Sequence, residues 1–372
     1  MPFSSEGVSP GIGLALSGGG FRATLFHIGS LWRLNETGFL PKLDRISSVS
    51  GGSITAGFLG LKFPQLSFDS SGRATNFGAV IVDPLRAFCS KNIDVVAAGE
   101  GALIPWKSAS DYVEKAYRDN LFGEATLQDL PDRPRFVINA TNFGTGVSFR
   151  FSKPYAGDYR IGLIKNPTFR LSIAVGASSG FPPVLSPVIV KPDPNTFTET
   201  EGADLYSDVA YRQQLILTDG GVYDNLGLET VWNRCETVLV SDAGAPFKFE
   251  ALPDTSWLQQ SLRALDVATN QSRGMRKRAL ISDYEGKQRK GAYWGIMTPI
   301  SEYGLTDSLP CPEGVTEELA AMRTRLNSFS ESEQCRLINW GYAVCDAALR
   351  KWAGVPNQPA ASWPYPTFAL DK

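Results

Sequence analysis

Histidine occurs once in the 372 residues, as His27. A serine nucleophile that relies on imidazole must therefore use that residue or find another base. Cysteine is also sparse: Cys89, Cys235, Cys311, Cys335 and Cys345 are odd in number and scattered, with no C-x-x-C pair. Neither a disulfide framework nor a zinc site is readable, and a reducing cytoplasm fits best. Net charge is only −2, which argues against a protein-wide field for gathering nucleic acid or coating an anionic membrane. No run of about eighteen apolar residues occurs, and MPFSSEGVSP has no basic stretch leading into an apolar one. The expectation is a chain neither secreted by that route nor membrane-spanning, at most peripheral at the inner membrane face.

Apolar residues at 43% and charged residues at 20% suit a globular chain with one extended core. In LALSGGGFRATLFHIGSLWRLNETG, a short strand over Ile12–Ser17 runs into Gly18, Gly19 and Gly20, and a helix follows over Phe21–Glu36. The plan repeats with a strand at Arg45–Val49, a turn at Ser50-Gly51-Gly52 and a helix from Ser53. Strand, tight turn and helix twice over predicts an α/β fold with a mostly parallel sheet. Further strands are expected at Arg135–Ala140, Val147–Phe151 and Thr237–Asp242, and helices at Phe169–Ala177 and Leu226–Arg234, which spreads the sheet over residues 10–245. An insertion of about 60–134 carries a helix near Ala109–Arg118, and such insertions often form lids or rims. Residues 246–372 read as a helical extension, with a capping box at Ser330 and Glu333 opening a late helix.

Gly18, Gly20 and Ala23 satisfy G-x-G-x-x-A after a strand, as a dinucleotide site would. That site needs an acid ending the second strand, where Ser47, Ser48, Val49 and Ser50 stand instead, and no P-loop pattern occurs. SSVSGGS places Ser50 at a strand-to-helix junction with small neighbours, the setting of a nucleophile elbow or of a plain helix cap. His27 lies almost two helical turns, roughly 9 Å, beyond the glycines, so it packs locally and the base must be a carboxylate. LILTDGGVYDNLGLE offers Asp219 on a glycine turn after an apolar run.

Taken together these stretches resemble the patatin-like phospholipases, a family of Ser–Asp lipid acyl hydrolases. Its glycine motif appears as Ser17-Gly18-Gly19-Gly20-Phe21-Arg22, and its G-x-S-x-G elbow as Ser48-Val49-Ser50-Gly51-Gly52 with Ser48 for the first glycine. Its D-G-G motif appears as Asp219-Gly220-Gly221, and ASSGFPPVLSPV resembles the segment between elbow and aspartate. The resemblance implies a three-layer α/β/α fold, Ser50 as nucleophile, Asp219 as base, and an oxyanion hole from the N–H groups of Gly18, Gly19, Gly20 and Gly51. Aspartate is a weak base, with an ordinary pKa of about 3.9, so that hole must supply much of the catalysis. Arg22 steadies the glycine loop or meets a lipid phosphate, or forms an ordinary ion pair on the first helical turn.

No metal or organic cofactor is required. The implied partner is a phospholipid or other lipid ester met at a membrane surface, with no nucleic acid, and self-association stays open. FPPVLSPVIV, at Phe181–Val190, is expected either as an apolar rim or as a buried strand. The basic cluster Arg273, Arg276, Lys277, Arg278, Lys287, Arg289 and Lys290 is either a headgroup site or a solvated helix face. Alternatives are a non-catalytic relative that binds lipid or a partner, suggested by Ser48, and a dinucleotide-dependent oxidoreductase. The insertion is a candidate housing for a gate.

Overall fold

In the first strand, β1 (Ser9–Leu16), alternate side chains enter different layers: Leu14 and Leu16 join one hydrophobic cluster and Ala15 the other. This period-2 alternation makes β1 a central strand covered on both faces. The computed structural model describes residues 7–93, 109–183 and 185–371. Among them eleven strands form one sheet: β1, β2 (Arg45–Ser48), β3 (Arg135–Asn142), β4 (Val147–Ser152), β5 (Tyr155–Asp158), β6 (Gly162–Lys165), β7 (Val188–Val190), β8 (Phe197–Thr198), β9 (Leu215–Asp219), β10 (Cys235–Asp242) and β11 (Lys290–Gly295). The central block, in the order β11-β10-β1-β2-β3, is parallel. From β3 onward the sheet turns antiparallel through β4, β5, β6 and β8; from β3 to β6 short hairpins replace the helical crossovers that parallel pairing needs.

Helices cover both faces. On one side lie α1 (Gly20–Glu36), α2 (Gly51–Lys62) and the late helix Glu331–Trp352; on the other, helices Leu228–Trp232 and Trp257–Glu285 pack with Ala15, Val238 and Val240. The fold is thus α/β with a central mostly parallel sheet and flanking helices. α1 and Glu331–Trp352 cross at a glycine pair: a Cβ on Gly29 would stand 1.9 Å from Ile338 O, and one on Gly341 1.9 Å from Phe26 O. Below this crossing the buried Arg33 pairs with Asp346 at 2.7 Å.

Several expectations are corrected. The sheet does not end near residue 245, since β11 extends its edge; the glycines in KGAYWG hid a strand. The second helix starts at Gly51, not Ser53, and Leu228–Trp232 is shorter than 226–234. Described parts of the 60–134 insertion belong to the core, with Phe77, Ile81, Leu85 and Phe88 in the main cluster and Phe88 stacked edge-on to Phe21 at 5.4 Å. Residues 94–108 of it lie outside the described residues. The basic cluster is divided: Arg273 pairs with the buried Asp242 at 2.8 Å and Arg276 with Asp224 at 3.5 Å, while Arg278, Lys287 and Lys290 are exposed, Lys290 pairing with Glu236 at 2.9 Å on the surface. Lys277 sits 4.4 Å over the Tyr293 ring, and Arg289 donates to Cys235 O at 2.8 Å. No helix among the described residues is long and apolar enough to cross a membrane.

Candidate active site

One edge of β3 is shared by two strands that run toward each other. β2 pairs with its first half and stops at Ser48, opposite Ile138; β9 comes in antiparallel along its second half and stops at Asp219, opposite Ala140. The residues just past these two ends therefore meet. Parallel strand ends gathered on a common edge do not explain the pairing of Ser50 with Asp219; an antiparallel strand arriving head-on does.

At the end of β2 the chain turns sharply through Ser50, whose φ of 51° and ψ of −122° are costly for a residue with a Cβ. The turn is held from outside. The Ser50 N–H donates to Ser178 O at 3.2 Å and to Ser178 Oγ at 3.0 Å, and Ser178 Oγ donates to Asn139 O at 2.6 Å. A Cβ on Gly51 would lie 2.1 Å from Gly20 O, so glycine is required there by backbone packed on backbone. Ser48, standing where a first glycine belongs, is accommodated: its buried hydroxyl accepts from Ser53 Oγ at 3.0 Å.

Asp219 is buried beside this elbow. Its Oδ1 accepts from Gly221 N–H at 2.7 Å, and the Ser50 side chain lies close enough to the carboxylate to influence its titration. Burial pushes the carboxyl up to about 7, while Gly221 and Ser50 oppose that rise. The Gly220 N–H donates to Ser178 O at 3.2 Å, so a single residue, Ser178 at the end of helix Leu171–Ser179, ties both strand ends together. Ser178 was missed as a functional residue; its only signal was membership of the ASSGFPP stretch. Phe181 and Ile189 of the expected rim are exposed, while the nearby Gly180 O accepts from Asp219 N–H at 3.0 Å.

The glycine loop joins β1 to α1. Its entry is fixed by His27, whose Nε2 lies 2.9 Å from Ser17 O and whose Nδ1 lies 2.8 Å from Ser241 Oγ. Both ring nitrogens are thereby engaged away from Ser50, and burial lowers the imidazole to about 4, so it is neutral near pH 7. Gly18 leaves the set of expected oxyanion donors, because its N–H already donates to Asn225 O at 3.0 Å. For the N–H groups of Gly19, Gly20 and Gly51 no acceptor is found among the described residues. Gly20 also lies under a strap of the C-terminal chain: a Cβ there would stand 1.8 Å from Thr324 O.

Arg22 belongs to that strap. Its Nη1 donates to Ala320 O at 2.7 Å and Met322 O at 2.9 Å, and its Nη2 to Ala243 O at 2.7 Å. Burial, then the neighbouring Arg273, lower it to about 10. Its guanidinium thus holds protein carbonyls, which corrects the reading of Arg22 as a phosphate-orienting residue.

The family model for patatin-like phospholipase matches residues 14–232, from within β1 to the end of helix Leu228–Trp232. The chain belongs to the patatin-like phospholipase family. No curated protein matches it. Among solved structures, human GIVD cytosolic phospholipase A2 in complex with methyl gamma-linolenyl fluorophosphonate is similar at 14% identity and a TM-score of 0.51, covering 90% of this chain and 57% of that one. VipD from Legionella pneumophila matches at 14% identity and a TM-score of 0.37, over 91% of this chain and 66% of that chain. This patatin-like chain thus spans roughly half to two thirds of the solved proteins it matches.

The raised Asp219 pKa has a sign that can be tested. A carboxyl that titrates near 7 when folded and near the ordinary range when unfolded favours folding at low pH, and that contribution is lost as pH rises through about 7. Asp219→Asn is therefore expected to be more stable than wild type above pH 7, by up to roughly 4 kcal/mol, with the difference vanishing toward acid. Thermal unfolding at a series of pH values measures it; equal stability of the two proteins at alkaline pH would contradict the raised pKa.

Proposed function

We propose that the chain hydrolyses carboxylic ester bonds of phospholipids, as a phospholipase A or lysophospholipase, through a Ser50–Asp219 dyad and an acyl-enzyme. The observation that carries this reading is the meeting of the two strand ends on β3, which sets Ser50 beside the buried Asp219 carboxyl, raised to about 7. Near neutral pH such a carboxylate is partly ionised and far more basic than an ordinary one, which suits it to accept a serine proton without imidazole. Ser50 Oγ attacks the ester carbonyl as its proton passes to Asp219, and the carbonyl oxygen becomes an oxyanion facing the N–H groups of Gly19, Gly20 and Gly51. Collapse expels the lysolipid alkoxide, which takes the proton from Asp219 and leaves Ser50 acylated. Water then gives its proton to Asp219 and attacks the acyl carbon; the fatty acid departs and Ser50 Oγ recovers the proton. Serine, aspartate and water balance both halves. Ser178 acts as a positioning residue, since its bonds fix where Ser50 and Gly220 stand. A cytoplasmic setting suits the five buried, unpaired cysteines.

Labelling with a fluorophosphonate probe, with fatty-acid release from mixed phospholipid vesicles alongside, tests the reading. Wild type is expected to label and release fatty acid, Ser50→Ala to do neither, and Asp219→Asn to release it roughly 10²–10⁴-fold more slowly. Folded wild type that does not label would overturn the proposal. Ser178→Ala is expected to lower kcat by up to roughly 10²-fold with KM nearly unchanged; an effect confined to KM would contradict its positioning role.

A further inference from the structure

The chain leaves β10 at Asp242 beside the glycine loop: a Cβ on Gly19 would stand 3.0 Å from Ala243 O, and Arg273 Nη1 holds Ala245 O at 2.8 Å. Beyond that anchor, residues 248–261 are exposed without exception, up to and including the first turn of helix Trp257–Glu285. The arm carries large apolar side chains into solvent: Phe249 is 92% exposed, Leu252 94%, Trp257 79% and Leu258 46%. Isolated exposed apolar residues are ordinary, but four within ten residues are not. A second apolar pair lies on the same edge of the sheet. β9 starts beyond the carboxyl end of β3, where Phe143 N–H donates to Ile216 O at 2.9 Å, and Ile216 faces Ile189 of β7 across the ladder. Both isoleucines are exposed. The edge bearing these groups is also the edge on which Ser50 and the glycine loop stand.

We propose that the arm 248–258, with Ile189 and Ile216, is the surface by which this protein seats on the interface of a lipid bilayer. The inference rests on the lipid-hydrolase reading of the site beside it. Tryptophan and phenylalanine prefer the boundary between headgroups and acyl chains, and leucine adds apolar area that enters it. Charge points to the kind of membrane: within the arm Lys248 stands against Glu250 and Asp254, and Glu250 in turn pairs with Arg263 of the following helix at 3.7 Å. Arg273, Arg276 and Lys277 of that helix are engaged by Asp242, Asp224 and the Tyr293 ring, which leaves the arm without a strong charge of either sign. Docking is therefore apolar and interfacial, suited to zwitterionic lipid and insensitive to salt.

Sedimentation with phosphatidylcholine vesicles at low and high salt tests this, comparing wild type with a Phe249→Ser, Leu252→Ser, Trp257→Ser triple variant. These side chains are exposed, so the variant is expected to fold and to keep its fluorophosphonate labelling and its turnover of a soluble short-chain ester. The expected result is salt-independent vesicle binding by wild type, reduced roughly tenfold or more in the variant, with hydrolysis of vesicle lipid falling in parallel. Equal binding by the two proteins, binding abolished by salt, or a wild-type dimer that the substitutions dissociate would each overturn the proposal. Failure of wild type to label or to cleave the soluble ester would instead count against the hydrolase reading, independently of where vesicles bind.

Discussion

The site depends on two strands meeting head-on along β3. β2 and β9 occupy successive halves of one edge, so the backbone hydrogen-bond ladder itself delivers Ser50 and Asp219 to the same point. Register is then the decisive quantity. A one-residue slip of β9 would turn Asp219 to the opposite face of the sheet and leave Ser50 without its partner. The protein guards against this at the junction, where Ser178 O receives N–H groups from both Ser50 and Gly220 and Thr141 Oγ1 donates to Asp219 O at 2.9 Å.

Burial makes that meeting chemically useful. An aspartate in water is too acidic to take a proton from serine effectively, but here desolvation outweighs the stabilising effects of Gly221 and Ser50. The result destabilises the folded chain at neutral pH and, under the proposed reaction, supplies a base matched to it, a local strain held in place by a large surrounding core. The histidine that other serine hydrolases would place at this point is instead built into the support of the glycine loop, neutral and bonded on both sides. The C-terminal chain takes part as well, through the carbonyls that hold Arg22 and through Thr324 against Gly20.

The motifs were legible because each is local turn chemistry. Three glycines after β1, a small-residue elbow at Ser50 and Asp219 on a glycine turn announce themselves within a few residues, and α1 follows from its apolar spacing and Gly38. What escaped depends on contacts distant in the chain. Gly18 looked like a donor until Asn225, far along the sequence, took its N–H. Arg22 looked like a ligand residue because nothing near it reveals Ala320 and Met322. The role of Ser178 and the antiparallel direction of β9 require the sheet to be assembled, and the pKa of Asp219 requires its burial. The strand Lys290–Gly295 escaped for a local reason, since its glycines weaken the strand pattern while its parallel partner β10 stabilises it.

The account turns on Asp219 as a base of unusual pKa, and the pH dependence of kcat/KM on a soluble ester tests this most directly. It predicts a single ionisation near pH 7, with activity falling about tenfold for each unit below it. A profile flat down to the ordinary carboxylate range near about 4 would contradict it.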